Sequence, residues 1–353
     1  MIGNAVVVDA VVHPFDLGPT NDLPEARDVV AALHGAHVLC TGDHHPDHVL
    51  SAEEFVSDFD HEALTHALFA ESPVDLAIIH SLPNLGFTKG GLAKPERMAA
   101  LRDRYPQRYL LYATVDTPMA DVAIKDLEAQ VNEFGVDGLK LYPSFYYDGT
   151  GHGWRMDDAD FATPLLEAAR DLGIRNVAVH KAVPAPPAPD ECFRVEDLDA
   201  AVDRFPTLNF HIVHAGHAFL TETARLMATH SNVYGNLETT VAFLLIKPRL
   251  FGKILGTLLE AAGPDRLLFG SGANLLHPLP LLEAFAAFEM PQDLIDEFGF
   301  PPITEEAKGK ILGRNALRLH GVDPAEARQR IDGDEFETLK ADGLAPAWSA
   351  LRR

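Results

Sequence analysis

The chain contains eight short apolar runs, rich in β-branched residues, that alternate with helix-length amphipathic segments. In those segments apolar residues return every three or four positions, and the segments end at Gly or Pro. Strands that alternate with helices predict a parallel sheet, and eight such units favour closure into a TIM-type (β/α)8 barrel over an open sheet. The predicted strands span residues 5–12, 74–80, 109–115, 137–142, 175–180, 208–214, 232–238 and 266–269.

The length of 353 residues, 47% of them hydrophobic, suits one large α/β domain spanning 1–353. We expect the barrel core at 5–321 and a C-terminal helical extension at 322–353. No GxGxxG follows the first strand and no GxxxxGK[ST] occurs, which argues against a nucleotide-binding sheet. Long insertions follow predicted strands 1, 4 and 5, at about 16–60, 144–158 and 182–191, so all three are expected at the same end of the barrel.

Acidic residues greatly outnumber basic ones, with 52 Asp plus Glu against 29 Lys plus Arg and a net charge of −23. This charge disfavours nucleic acid and anionic membrane surfaces as partners. Two cysteines, Cys40 and Cys192, imply no disulfide framework and fit a reducing compartment. The N-terminus lacks a basic signal region, and VAFLLI is too short to span a membrane. We therefore expect a soluble cytoplasmic protein that acts on a small molecule.

Polar side chains stand at the downstream ends of five predicted strands. They are His13, His80, His180, His214 and Glu238. Because the ends of parallel strands meet at one face of a barrel, these side chains are expected to converge there. Any single histidine among them is as often a hydrogen-bonded core residue, and Glu238 has the alternative of pairing with a cation. Taken together, they predict a metal or acid–base site at the barrel mouth.

Two further residues near the strand ends have open roles. Lys140, in GLKLYP, either orients a substrate carboxylate as part of the catalytic site or balances the charge of Glu238. His211 precedes His214 by three positions, so on a strand the two face opposite sides. One of them is therefore expected to point outward into the helices.

The insertions contribute more candidates. Asp43 and His44, in the first insertion, either reach over the mouth as metal ligands or belong to a solvated loop. Tyr146 and Trp154, in the second, either wall a substrate pocket or form the loop's own small core. His277 follows the last strand and is a candidate ligand or substrate contact.

Six segments carry a resemblance to a known family. VVVDAVVHPFD, GLKLYPS, VAVHKA, FHIVHAGH, LLFGSGANLLHP and ILGRNALRLHG occur in this order between Val6 and Gly321. In this order and spacing they resemble the amidohydrolase-related metal-dependent hydrolases. That family also contains the aminocarboxymuconate-semialdehyde-decarboxylase-like enzymes.

The resemblance implies a catalytic metal, often zinc, held by a strand-one pair, a strand-five histidine and a strand-eight aspartate, with a strand-six histidine acting in catalysis. His13, His180 and His214 match these positions, and the match makes His214 the inward-facing member of its pair. Val11 and Gly272 stand where two family ligands are expected. We expect replacement ligands, and the candidates are His80, Glu238, Asp43, His44, His45, His48 and His277. These donors suit one or two divalent ions, either zinc or iron and manganese.

A narrower resemblance rests on DAVVHP, HSLPNLGFTKGG and the strand-seven glutamate. These segments resemble the aminoisobutyrate-type hydroxylases, which pair two related chains and use a dinuclear iron or manganese–iron centre with O2. The main expectation remains a metal-dependent enzyme that hydrolyses or decarboxylates a small carboxylate-bearing molecule. The alternatives are an O2-dependent hydroxylase subunit and a catalytically silent partner subunit, so either a homo-oligomer or a hetero-oligomer with a related chain is expected.

Overall fold

The computed structural model describes residues 5–21, 27–57, 59, 61–82, 86, 88–117, 119–147, 150–181 and 189–352. The strands are β1 (Val8–Val12), β2 (Leu76–His80), β3 (Tyr109–Thr114), β4 (Gly138–Leu141), β5 (Ser144–Tyr147), β6 (Thr150–Gly153), β7 (Asn176–His180), β8 (Asn209–Val213), β9 (Val233–Asn236) and β10 (Leu267–Leu268). Eight of them form a parallel sheet in the order β1-β2-β3-β4-β7-β8-β9-β10. Hydrogen bonds from Ala10 N to Phe269 O (2.9 Å) and from Gly272 N to Val11 O (3.1 Å) join its two edges. The sheet is a nearly closed TIM barrel, which confirms the predicted fold.

Each predicted strand contains one observed barrel strand, which is shorter than the prediction by one to three residues. The insertion after β4 contains an antiparallel hairpin, β5 paired with β6, that the sequence analysis did not identify. No helix in the described part of the chain has the length and apolar character needed to cross a membrane.

Helices surround the barrel and extend beyond it. They are α1 (Arg27–Thr41), α2 (Ala52–Phe55), α3 (His61–Phe69), α4 (Pro95–Arg104), α5 (Ala120–Phe134), α6 (Ala162–Asp171), α7 (Leu198–Arg204), α8 (Leu220–Thr229), α9 (Phe243–Ile246), α10 (Pro248–Ala262), α11 (Pro278–Ala287), α12 (Gln292–Phe298), α13 (Glu305–Gly309), α14 (Asn315–Leu319), α15 (Pro324–Ile331) and α16 (Glu335–Lys340). The last two form part of the predicted C-terminal extension.

Both faces of the barrel sheet are buried. Side chains such as Ile79, Leu111 and Val177 belong to the core between sheet and helices, whereas Ile78 and Ala178, in neighbouring positions, belong to a separate core inside the barrel. The sequence of a strand that is buried on both faces is a continuous apolar run, because both sets of alternating side chains are shielded from water. This explains why the strands were visible in the sequence.

The first insertion is tethered to the barrel through the buried side chain of His37, on α1. Leu50 N donates to His37 Nε2 (2.8 Å), so His37 Nδ1 carries the proton and donates to Leu275 O (2.8 Å). The C-terminal segment adds a second tether, in which Trp348 Nε1 donates to His48 O (2.8 Å). These bonds hold α1 beside the loop that follows β10.

The buried carboxylate of Glu71 anchors the same C-terminal segment. It accepts hydrogen bonds from Trp348 N (2.7 Å), Ser349 N (2.7 Å) and His277 Nε2 (3.1 Å). His277 Nδ1 accepts from Leu279 N, which leaves the ring proton on Nε2. Burial raises the pKa of Glu71, but these hydrogen bonds outweigh it, so the pKa lies below its ordinary value and the group is ionised.

We expect Glu71→Ala to lower the free energy of unfolding by roughly 3 kcal/mol, because several buried donors would lose their acceptor at once. Urea unfolding followed by circular dichroism measures the change. Glu305→Ala is the matched control, since Glu305 pairs with Lys308 but its side chain is 86% exposed. The control is expected to cost less than about 1 kcal/mol. Equal losses in the two variants would contradict the anchoring role.

Candidate active site

A cavity of about 750 Å³ lies at the carboxyl ends of the barrel strands. Four of the five predicted strand-end residues line it, namely His13, His180, His214 and Glu238. The fifth, His80, is buried beside them, with its ring centroid 5.9 Å from that of His13. The structure thus brings together side chains that are up to 225 residues apart in sequence (238 − 13).

His180 and His214 form a close pair. His180 Nδ1 lies 3.2 Å from His214 Nε2, within hydrogen-bond distance, and the ring of His180 stacks on that of Tyr142 with centroids 4.5 Å apart. Burial lowers the pKa of His180 well below its ordinary value, and the nearby His214 lowers it further. His180 is therefore a neutral imidazole, the form that binds metals.

A left-handed turn aims His214 into the cavity. β8 ends at Val213, and φ is 64° at His214, 51° at Ala215 and 53° at Gly216. Positive φ at a non-glycine residue is uncommon and clusters at functional sites. The turn is held by Thr240 Oγ1, which donates to His214 O (2.7 Å). The alternation of side chains between the two faces of β8 therefore does not extend to His214.

The prediction that either His211 or His214 points outward is wrong for this reason. His211 faces the barrel interior, where its ring contacts those of Tyr112 and Tyr234. Burial lowers the pKa of His211 to about 3, so it is neutral at physiological pH. Both histidines face inward, one within the barrel and one at its mouth.

Glu238 supplies a carboxylate beside His214. Its Oε2 atom lies 2.7 Å from His214 Nδ1, which is also 2.7 Å from Thr239 Oγ1. Burial raises the pKa of Glu238, yet the nearby His214 more than offsets this and the pKa lies below its ordinary value. Glu238 is thus an anion that orients the ring of His214.

Gly272 leaves room for this carboxylate. Its φ is +72°, and a Cβ placed on it would overlap Glu238 Oε1. The family resemblance predicts an aspartate at this position. In this chain, a carboxylate from the end of β9 occupies the space where a side chain at position 272 would begin.

His13 presents a lone pair to the site. Its Nδ1 donates to His80 O (2.8 Å), so the neutral ring leaves Nε2 unprotonated. Burial lowers the pKa of His13 to about 4, with the nearby Lys140 acting in the same direction. Neutral imidazole is therefore the dominant form at physiological pH.

Lys140 and His80 lie buried inside the barrel. Lys140 Nζ and both ring nitrogens of His80 make no hydrogen bond of normal geometry to any described residue. Lys140 Nζ lies 4.4 Å from the centroid of the Tyr142 ring. Burial lowers the pKa of Lys140 to about 7, against the opposing effect of Glu238. Unpaired buried polar atoms are costly, so a polar occupant is expected in this region.

The donor types fit a divalent metal, because imidazoles and a carboxylate are the usual ligands of zinc and manganese sites. His13, His180 and Glu238 are the residues that would hold it, with the ring of His214 beside them. Within the described ranges, however, no three His, Cys, Asp or Glu side chains already converge in a metal-holding arrangement. The donor atoms therefore have the chemistry and the location that a metal site needs. In their present rotamers, however, the side chains contact one another two at a time, as in His180–His214 and His214–Glu238.

The other candidates whose side chains are described do not line this cavity. Asp43 and His44 are exposed in the turn after α1, too peripheral to line it. Trp154 packs edge-on against Phe161, with centroids 4.7 Å apart, as part of the main hydrophobic core. His277 is held by Glu71, as described above. The backbone of Tyr146 lies in β5, and its side chain is outside the described part of the chain.

Two features of the site escaped the sequence analysis. Asp9, buried on β1, accepts hydrogen bonds from Ser271 N (2.9 Å) and Ser271 Oγ and so fixes the loop that carries Gly272. Burial raises the pKa of Asp9 to about 7. Helix α1 lines the cavity with Ala32, Ala36 and Cys40 among others. Small apolar residues recur every three or four positions along α1, and this spacing was the sequence feature that could have predicted its apolar face.

Comparison with known proteins places the chain in a family. A family model described as amidohydrolase matches residues 60–322, about three quarters of the sequence. No curated protein sequence matches the chain significantly. The family match supports the broad resemblance, whereas nothing in the comparisons supports the narrower one to aminoisobutyrate-type hydroxylases.

Solved structures similar to this one have the same barrel. An uncharacterised TIM-barrel protein from Bordetella bronchiseptica is 20% identical, with a TM-score of 0.62 over 91% of this chain and 99% of that one. The 2,6-dihydroxybenzoate decarboxylase from Rhizobium is 17% identical, with a TM-score of 0.58 over 90% and 99%. A dihydroxybenzoic acid decarboxylase from Polaromonas sp., with bound manganese and an inhibitor, is 13% identical, with a TM-score of 0.57 over 92% and 99%. At these identities the similarity establishes the fold.

Proposed function

The chain belongs to the amidohydrolase family, and from that premise we propose that it is a metal-dependent carboxy-lyase acting on a small carboxylate-bearing molecule. The observation that carries this proposal is the placement of His13, His180, His214 and Glu238 around one cavity at the ends of four strands. Two of the similar structures are decarboxylases, and one of these contains manganese, which supports both the reaction class and a divalent metal. Hydrolysis at the same site is the second candidate, favoured by the family match.

A divalent metal bound by these side chains would polarise a substrate oxygen next to the carboxylate that leaves. His13 and His180 can bind such a metal, because burial lowers the pKa of both rings and keeps them neutral. Hydrolysis would instead need a general base near the attacking water. Glu238, the carboxylate that occupies the space at Gly272, already pairs with His214, which favours decarboxylation over hydrolysis.

His214 is the group placed to move a proton. Loss of CO2 breaks a carbon–carbon bond and leaves the electron pair on the substrate carbon, which then takes one proton. His214 Nε2 is expected to deliver that proton, because the ring lines the cavity and its Nδ1 lies beside the Glu238 carboxylate. Thr239 Oγ1 and the left-handed turn keep the ring in position.

Other readings of the same residues remain testable proposals. A dinuclear iron or manganese centre would indicate O2 chemistry, in a chain paired with a related one. A chain that binds no metal would be a silent partner subunit. The oligomeric state, homo-oligomeric or hetero-oligomeric, belongs with these proposals.

The test is metal content per chain, measured by elemental analysis of protein purified without chelator or added metal. We expect about one divalent ion, and at least a roughly tenfold lower content in His180→Ala, because a ligand is removed. His230→Ala is the matched control, since His230 pairs with Asp199 on the outer surface. Unchanged metal content in His180→Ala would contradict the site. About two redox-active ions would favour the hydroxylase, and no metal would favour the silent subunit.

A further inference from the structure

We propose that the substrate carries an extended apolar portion that lies along α1 and ends without a negative charge. The inference rests on the proposed function in that it takes the cavity as the substrate site. It goes further by defining the part of the substrate that does not react. The carboxylate that leaves would lie at the histidines, and the apolar portion would extend away from them.

One face of α1 forms a wall of the cavity. Its lining residues are Val29, Ala32, Leu33, Ala36 and Cys40, which recur every three or four positions. They are apolar, yet Val29 is 37% exposed, and Ala32 and Ala36 are also exposed. An exposed apolar helix face that lines a cavity commonly marks a site where an apolar ligand or partner binds. The small side chains of Ala32 and Ala36 leave the space for one.

The loop beside α1 contributes further apolar lining. Leu275 and Leu276, from the loop after β10, line the cavity together with Phe193 and Ala242. The cavity volume of about 750 Å³ is several times the roughly 150 Å³ that holds one benzene ring. A single-ring carboxylate would therefore leave most of the apolar surface uncovered. An extended hydrocarbon portion would cover it.

The charges of the lining select against an anionic outer end. The acidic side chains that line the cavity are Asp28, Asp116 and Glu238, and no Lys or Arg is among the described lining residues. A carboxylate at the far end of the substrate would lose water and meet acidic neighbours. A neutral end avoids both costs.

The experiment is calorimetric titration of the metal-loaded protein with straight-chain primary amides from butanamide to decanamide. We expect affinity to rise by about fourfold per added methylene while the chain remains within the cavity. Decanedioate, which carries a second carboxylate at its far end, is expected to bind at least about tenfold more weakly than decanoate, since each presents one carboxylate to the metal. Affinity that is independent of chain length, or equal binding of decanedioate and decanoate, overturns the proposal.

Two variants locate the apolar portion. Ala36→Phe fills the cavity and is expected to remove most of the gain beyond hexanamide, with Ala32→Phe as the second variant should the first fail to fold. Ala31→Phe is the matched control, because Ala31 is exposed on the same helix but does not line the cavity. Equal losses from Ala31→Phe and Ala36→Phe would overturn the assignment to α1. His180→Ala is expected to keep the chain-length dependence, so failure of the metal proposal is distinguishable from failure of this one.

Discussion

Replacing Glu238 with Ala is expected to lower both metal content and CO2 release from an accepted carboxylate by at least about 100-fold. The loss is large because this side chain is the carboxylate of the donor group and also the orienting partner of His214. Elemental analysis and a CO2-release assay measure the two effects. Glu260→Ala, an exposed glutamate on α10, is the matched control and should change neither.

The same site offers a rescue test. Gly272→Asp alone is expected to be inactive, because its Cβ would overlap Glu238 Oε1. Combining Gly272→Asp with Glu238→Ala removes the overlap with Oε1 and returns a carboxylate to the same space, at the cost of an aspartate at φ +72° whose Cβ lies 3.1 Å from Thr239 Cγ2. The double variant should therefore bind more metal than either single variant. Full metal binding by Glu238→Ala itself would show that the carboxylate is not a ligand.

Replacing Lys140 with Met is expected to raise the free energy of unfolding at pH 7 by about 3 kcal/mol, because it removes a buried amine that lacks a hydrogen-bond partner among the described residues. A residue that destabilises the fold in this way is commonly kept for function. Urea unfolding of the two proteins across a pH series measures the gain. Lys125→Met, on the exposed side of α5, is the control and should change stability by less than about 0.5 kcal/mol.

The lowered pKa of Lys140 makes the free energy of unfolding depend on pH in a defined direction. The pKa of Lys140 is lowered from 10.5 to about 7 in the folded protein, so between these values the unfolded chain binds more protons. The cost of burying Lys140 is therefore fully present below about pH 7 and falls as the pH rises toward 10. The advantage of Lys140→Met should shrink over that range. A difference in stability that is constant with pH would contradict the lowered pKa.

The barrel was predictable because its signal is local. Each strand is buried on both faces and therefore apolar along its length, and each observed barrel strand lies inside a predicted one. The grouping of His13, His180, His214 and Glu238 followed from the same pattern, because parallel strands place their carboxyl ends at one face. These inferences needed only the order of residues along each segment.

The insertions were not predictable in this way. Asp43, His44, Trp154 and His277 have residue types suited to a site, but packing places them elsewhere. His277, for example, is held by Glu71, which also binds Trp348, 277 residues away. A loop side chain takes its position from distant partners, and no local periodicity identifies those partners.

The sequence by itself determined the eight-stranded barrel and the face at which its polar side chains gather. The tertiary structure decided which of those side chains meet and what else lines the cavity. The turn that directs His214 inward, the space at Gly272 that admits Glu238, and the position of α1 over the mouth all depend on contacts between residues far apart in the chain. Hydrophobic periodicity encodes burial within one segment, whereas the fit between segments appears only when they pack together.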